Sequence, residues 1–128
     1  MRAISALSSH TISVSTMDQL VAKLQGERDG KGGWILIRNG RAVEIEMGTK
    51  TMEALFSEED LQAAGELLGA PPQSRVVFLF DDTNVDQFEY RMAQAVAKAM
   101  AEQWPVVIDD HTGRQEIVTP PGVRKLPE

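Results

Sequence analysis

The chain has 128 residues, of which 42% are hydrophobic and 25% are charged, a composition typical of one globular domain. It contains no cysteine, which excludes disulfides, cysteine-based zinc sites and thiol catalysis. The formal charge of -6 disfavours binding to nucleic acid or to an anionic membrane and favours a basic partner. No apolar run is long enough to span a bilayer and the first residues lack the apolar core of a secretory signal, so we expect a cytoplasmic protein.

The first predicted elements are a short strand and an amphipathic helix. Residues 1–11 show little periodicity and are expected to be loose, whereas Ile12 and Val14 alternate with serines, as in a strand with one buried face. Thr16 opens the capping box T-M-D-Q, and Gly26 is placed to supply the left-handed residue that ends a helix. The pattern predicts a helix between Thr16 and Gly26.

A β-hairpin is predicted next. The apolar run from Trp34 to Arg38 is separated from the alternating run Arg41 to Met47 by Asn39 and Gly40. A two-residue type I′ turn needs a positive φ at both central positions, and Asn and Gly tolerate this best. In the second strand the glutamates alternate with apolar residues, so one face of that strand is expected to be wet and negative.

The second half of the chain alternates helices and strands. Ser57 is expected to cap a helix that ends at Gly69, and the apolar run Val76 to Phe80 is typical of a central strand. The capping box Asp86 to Glu89 opens a long third helix. Short strands follow in the runs 106–108 and 116–119, with a turn at 110–113, and the proline-rich residues 120–128 are expected to be loose.

The predicted fold class is α+β, one compact domain over residues 1–128 with a mixed sheet of about five strands packed against three helices. If the strands at 76–80 and 106–108 form a β-α-β unit, the helix between them makes them parallel. Their C-terminal ends then lie at the same edge of the sheet.

This geometry predicts a cluster of acidic side chains, which we call the rim. Residues 53–110 hold 12 acidic and 3 basic residues, so the negative charge is localised in this part of the chain. The acids at the two strand ends and at the start of the third helix would meet at one edge, beside a histidine. The rim is Asp81, Asp82, Asp86, Glu89, Asp109, Asp110 and His111.

Three interpretations of the rim remain open from the sequence. The acids can cap a helix and end strands, they can hold Mg²⁺ or Ca²⁺, or they can form a docking surface for a basic protein. His111, which follows Asp109 and Asp110, is either a general base oriented by a carboxylate or a polar turn residue. No serine-elbow, zinc-ligand or nucleotide-cradle spacing is present, so neither a catalytic residue set nor a cofactor is predicted.

The order of elements resembles small immunity proteins of bacterial polymorphic-toxin systems. The resemblance spans residues 12–118 and consists of the W-I-L-I hairpin, the S-E-E-D helix, R-V-V-F-L-F-D-D, the helix E-Y-R-M-A-Q-A-V-A-K-A-M and V-V-I-D-D. It implies a compact, acidic, cytoplasmic protein that acts by occluding the active site or the substrate surface of a toxin. No residue of that family is carried over to a position in this chain.

The sequence therefore predicts a non-enzymatic binding protein that neutralises a basic partner, a toxin domain, through the rim. One alternative is a small Mg²⁺- or Ca²⁺-dependent enzyme or metal-binding domain that uses Asp81, Asp82, Asp109 and Asp110. Another alternative is a structural subunit that forms a homodimer through a strand edge.

Overall fold

The computed structural model describes residues 2–48, 56–81, 83, 86–103, 105–111 and 114–118. These residues form a single small domain with three helices and one seven-stranded sheet. The strands are β1 (Arg2–Ser8), β2 (Glu27–Arg28), β3 (Trp34–Arg38), β4 (Arg41–Met47), β5 (Ser74–Phe80), β6 (Val106–Asp109) and β7 (Gln115–Val118). The helices are α1 (Val14–Lys23), α2 (Glu58–Leu68) and α3 (Phe88–Ala101).

The strand order in the sheet is β2-β3-β4-β5-β1-β6-β7, and every neighbouring pair is antiparallel. The α+β class and the three helices are confirmed. The expected mixed sheet of about five strands is wrong in both number and direction. The sequence pattern missed β2, which has only two residues, and it misplaced the first strand.

The N-terminal segment is the main correction to the predicted fold. Residues 2–8, expected to be loose, form β1, which lies between β5 and β6. Both faces of β1 are covered, because Ile4 and Leu7 belong to the two different apolar clusters of the protein. The sequence of β1, R-A-I-S-A-L-S, does not alternate apolar with polar residues and so carries little local signal, and its pairing partners lie about 70 and 100 residues away along the chain.

The hairpin of β3 and β4 is confirmed residue by residue. Asn39 and Gly40 have φ angles of 54° and 73°, the left-handed values that a type I′ turn requires. Val43 and Ile45 are buried in the main core, whereas Glu46 is exposed. The alternation in the sequence therefore assigned the two faces of β4 correctly.

The starts of the helices follow the expected chemistry only in part. At α2, Ser57 accepts a hydrogen bond from the amide of Asp60, and Gly69 ends the helix with a φ of 79°. At α1, the cap is Ser13 rather than Thr16, so Val14 belongs to the helix and not to a strand. The residue of positive φ after α1 is Gln25, not the expected Gly26.

The capping box expected at the start of α3 is wrong. The N-cap residue is Gln87, with a φ of 56° and no side-chain hydrogen bond to the helix. Asp86 instead accepts a hydrogen bond from the amide of Phe88 at 3.1 Å. Its carboxylate also faces β4, as described below, and this tertiary contact decides its role.

The helices cover the two faces of the sheet unequally. α1 and α3 pack on one face over the main core, which includes Trp34, Phe78 and Met100. On the other face α2 packs on a smaller cluster of Leu7, Phe56, Ala64 and Val107. The half of this second face formed by β3 and β4 carries exposed residues such as Ile37, which is 60% exposed.

The expected relation between β5 and β6 is half correct. Both strands are antiparallel to β1 and therefore run parallel to each other, but β1 separates them. Phe80 pairs with Arg2 and Asp109 pairs with Ser5, so the two C-terminal ends lie on the same side of the sheet. They are offset by three positions along β1, about 10 Å.

Candidate functional site: rim, acid face and groove

The rim lies at the end of the sheet where β5 and β6 terminate, but it is not a continuous acidic surface. Asp81 follows β5, Asp109 ends β6, and Asp86 and Glu89 flank the start of α3. Asp82 lies outside the described residues. Each described carboxylate has protein partners within the fold, and these partners decide how much negative charge the rim presents.

Arg41 neutralises the two acids at the start of α3. Its Nη1 lies 2.6 Å from each carboxylate oxygen of Asp86 and 3.5 Å from Oε1 of Glu89. The bond from Arg41 lowers the pKa of Asp86, and the amide of Phe88 adds to this effect. Glu89 is buried at 3% exposure, so its charge does not reach solvent. These two acids form an internal ion pair with β4.

Asp109 is a buried structural acceptor. It is 1% exposed, its Oδ1 accepts from the amide of His111 at 2.7 Å, and its Oδ2 accepts from Nε2 of Gln115 at 2.8 Å. The same Gln115 nitrogen donates to the carbonyl oxygen of Asp60 at 2.9 Å. Asp109 therefore ties the ends of β6 and β7 to the first turn of α2.

Asp81 and Asp110 each accept a hydrogen bond from a backbone amide in the segment that follows their strand. The amide of Thr83 donates to Asp81 at 2.9 Å and lowers the pKa of that carboxyl. The amide of Arg114 donates to Asp110 at 3.3 Å, and the amide of Asp110 donates to the carbonyl of Arg114 at 3.2 Å. The predicted turn at 110–113 is thus closed by its first residue and Arg114, although residues 112 and 113 lie outside the described ranges.

Arginines that the sequence analysis did not assign to this site lie among these acids. Arg2 lies with its guanidinium 4.9 Å from the centre of the Tyr90 ring on α3, and Arg91 donates to the carbonyl of Asp86 at 3.1 Å. Together with Arg41 and Arg114 they make the rim a surface of mixed charge. The β4–β5 pairing brings Arg41 there, and no local sequence signal reveals that pairing.

Ser5 and His111 form a pair that looks catalytic but is structural. Oγ of Ser5 lies 2.8 Å from Nε2 of His111, and the imidazole stacks on Phe56 with ring centres 5.1 Å apart. Ser5 is completely buried in the middle of β1, and Asp109 accepts from the backbone of His111 rather than from its ring. The hydroxyl is therefore closed to a substrate, and the geometry favours a turn residue, with a φ of 62°, over a general base.

The strongest separation of charge is between the two faces of the sheet. We call the face that carries α2 the acid face. Seven solvent-accessible acids lie on it: Glu27, Glu44, Glu46, Glu58, Glu59, Asp60 and Glu66. None of them takes part in an ion pair between described residues.

The opposite face holds most of the basic residues of the strands and helices. Its bases are Arg2, Lys23, Arg28, Arg38, Arg41, Arg91 and Lys98. All three ion pairs between described residues are on that side, where Arg28 binds Asp18 and Arg41 binds the two acids of α3. Asp18, Asp86 and Glu89 are therefore paired with arginines, whereas none of the seven acids of the acid face has such an ion pair among the described residues.

Arg75 is the one base that the described strands and α2 place on the acid face. It is 8% exposed, and burial lowers its pKa, opposed by the nearby charge of Glu46. Its guanidinium packs against Gly48, where an added Cβ would lie 2.5 Å from Nε. Because Arg75 is buried, it offers little positive charge to a partner.

A broad groove runs along α2 on the acid face. It has a volume of about 800 Å³ and lies between the helix and the segment 69–72. Leu61, Gly65, Pro71 and Pro72 line its apolar part, and Glu58 and Glu66 line it toward the two ends of the helix. No lysine, arginine or histidine is among its lining residues in the described part of the chain.

The described acids of the rim leave few carboxylate oxygens free for a metal ion. Both oxygens of Asp109 accept hydrogen bonds from the protein, and both oxygens of Asp86 contact Arg41. A divalent cation needs several free carboxylate oxygens. Among the described residues there is no group of three or more acidic or histidine side chains arranged to hold a metal ion.

No protein-family model matches the chain, and the searches of curated proteins and of solved structures return no match. None of the helices in the described ranges has the length and apolar character needed to cross a membrane.

Proposed function

We propose that this chain is a non-enzymatic binding protein, an immunity or inhibitor protein that neutralises a basic toxin domain by occlusion, and that the acid face is its main docking surface. The observation that carries the proposal is the placement of seven accessible acids on one face of the sheet, none of them in an ion pair between described residues. The only base that the strands and α2 add to that face is buried.

Electrostatic attraction to such a face has measurable consequences. Like charges on one surface create a potential that steers a basic partner toward it and accelerates association at low ionic strength. The same charges repel acidic proteins and so contribute to specificity. The rim contributes less to this attraction because its arginines offset much of its negative charge.

The rim remains a proposed contact for orientation rather than attraction. Asp81 and Asp86 are exposed, and their lowered pKa values keep them charged well into the acidic range. The rim presents arginine and aspartate side chains side by side, so it suits a partner whose acidic and basic side chains are placed to pair with them. We therefore propose that attraction comes from the acid face and that the rim refines the fit.

The test compares charge-reversed baits in a pull-down from the source cell. The acid-face variant carries Glu46→Lys and Glu66→Lys, two exposed positions without described ion pairs. The matched control carries Glu102→Lys and Glu116→Lys, which are exposed elsewhere and change the net charge by the same amount. A rim variant carries Asp81→Lys, and circular dichroism verifies that each bait is folded.

We expect the unchanged chain and the matched control to retain one basic protein at low ionic strength and to release it at high ionic strength. The acid-face variant should lose it, with an association rate for the purified partner at least about tenfold lower. Retention of the partner by the acid-face variant, or equal loss by the matched control, would overturn the proposal. Sedimentation of the free chain tests the homodimer alternative, whose available strand edges are β2 and β7.

A further inference from the structure

The groove along α2 has the shape and chemistry of a specific recognition site within the acid face. Its volume of about 800 Å³ is within the range of ligand-binding clefts. Its wall is apolar where the helix faces Pro71 and Pro72, and Leu61 of α2 is only partly buried there. A cleft of this kind can accept an apolar side chain of a partner.

Gly65 lies in the C-terminal half of α2 and lines the groove without a side chain. A Cβ added at this position would meet the carbonyl oxygen of Ala70 at 3.6 Å, Cα of Pro71 at 3.7 Å and the carbonyl carbon of Ala70 at 3.9 Å, ordinary contact distances. A methyl group therefore fits, whereas a larger side chain would extend into the groove. Gly69, with a φ of 79°, turns the chain back so that Pro71 and Pro72 form the opposite wall.

The two glutamates at the groove favour a bound segment that has basic side chains on both sides of its apolar residue. Glu58 and Glu66 are eight positions apart on α2, which places them about 12 Å apart along the helix axis. An extended polypeptide covers that distance in about four residues. Two basic side chains four positions apart can thus approach the two glutamates, while the residue midway between them lies at the level of Gln62, between Leu61 and Gly65.

We propose that the groove binds an extended segment of the partner that carries one apolar side chain with lysine or arginine two residues before and two residues after it. This inference rests on the proposed function and names the part of the acid face that supplies specificity. The apolar side chain is seated over Leu61 and Gly65, and the two bases lie against Glu58 and Glu66.

The probe is a five-residue peptide, acetylated and amidated, with lysine at both ends, leucine in the centre and glycine between them. Two matched peptides replace the lysines with glutamate or the leucine with serine. Each is titrated into the full chain labelled with ¹⁵N, and amide shifts are followed by NMR. We expect the first peptide to shift amides of residues 58–72, with binding at least about tenfold weaker for each matched peptide.

Variants of the protein separate filling of the groove from loss of fold. Gly65→Leu places a side chain in the groove and should weaken binding of the lysine peptide by about tenfold or more, whereas Gly65→Ala should leave it nearly unchanged. Shifts centred outside residues 58–72, or equal binding of the glutamate peptide, would overturn the inference. Binding that survives Gly65→Leu would do the same.

The outcomes for the groove and for the acid face are distinguishable. If the natural partner is lost by the Glu46→Lys, Glu66→Lys variant but still binds Gly65→Leu with unchanged affinity, the groove is refuted and the proposed function stands. If the partner is retained by the charge-reversed variant, the proposed function is refuted, whatever the peptide does.

Discussion

Substitution of Asp109 tests whether this acid is a docking residue or a structural one. Its carboxylate is 1% exposed and accepts from the amide of His111 at 2.7 Å and from Gln115 at 2.8 Å. In Asp109→Ala both acceptors are lost. Gln115 then retains only its bond to the carbonyl of Asp60, at 2.9 Å, and the β6–β7 connection loses its tie to α2.

The expected cost follows from the two hydrogen bonds. A bond accepted by a charged group stabilises a fold by about 1.5 to 3 kcal/mol, so two contribute about 3 to 6 kcal/mol. Alanine also removes the cost of keeping a buried carboxylate ionised, which offsets part of that sum. We expect a net loss of about 3 kcal/mol, which lowers the urea midpoint by about 1.5 M and the melting temperature by about 10 °C.

Asp109→Asn is the matched control. Oε1 of Gln115 is buried without a hydrogen-bond partner among the described residues. If the Gln115 amide turns over, Oε1 can accept from the new amide at position 109, while the asparagine oxygen still accepts from His111. The turned amide loses its bond to the carbonyl of Asp60, so this variant should lose about 2 kcal/mol, less than Asp109→Ala.

The measurements are urea and thermal unfolding followed by circular dichroism, together with the association rate for the partner. The structural role requires a large loss of stability in Asp109→Ala and an association rate close to that of the unchanged chain under conditions where both are folded. Unaltered stability combined with slower association would show that Asp109 contacts the partner and would exclude a structural role for its carboxylate.

Two further predictions concern close packing and an acidic pKa. Gly33→Ala should destabilise the fold by about 2 kcal/mol in urea unfolding, because its Cβ would lie 2.4 Å from the carbonyl oxygen of Ile45. Gly65→Ala should instead stabilise α2 by about 0.5 to 1 kcal/mol, because alanine favours a helix more than glycine does. The opposite order of the two stabilities would contradict these contacts. The indole of Trp34 donates to Asp18 at 2.7 Å and is the main reason why the pKa of Asp18 is lowered. A carboxyl whose pKa is lower in the folded than in the unfolded chain stabilises the fold at a pH above its unfolded pKa, and this stabilisation is lost as the pH falls through its folded pKa. Trp34→Phe should therefore raise the pKa of Asp18 toward 3.8 and weaken the pH dependence of stability below about pH 4. A carboxyl NMR titration measures this shift, and an unchanged pKa would show that Arg28 holds the charge by itself.

The candidate site was predictable as a set of acids but not as a surface. The charge bias of residues 53–110 is visible in the sequence, and the structure does bring the described strand ends to one side of the sheet. The sequence could not show that Arg41 lies between Asp86 and Glu89, because that contact depends on the β4–β5 pairing. Burial of Asp109 depends in the same way on the packing of α2.

The acid face was not predictable at all, because its members come from two strands of the first hairpin region and from a helix. Glu44 and Glu46 were correctly expected to be wet, and the acids that follow Ser57 were correctly expected on the first turn of a helix. The glutamates of β4 and the acids of α2 share one face of the sheet because α2 packs on that face. Several arrangements of helices over a sheet bury similar apolar area, so periodicity alone does not select among them.

Local chemistry in the sequence determined the hairpin, the three helices, the strand β5 and the negative charge of residues 53–110. The tertiary structure decided that residues 2–8 form a central strand, that every strand pairing is antiparallel, and which acids are neutralised. The physical reason is the range of the interactions. Turn geometry, capping and hydrophobic periodicity act over a few residues, whereas strand pairing, burial of a carboxylate and the sharing of a face join residues far apart in the chain.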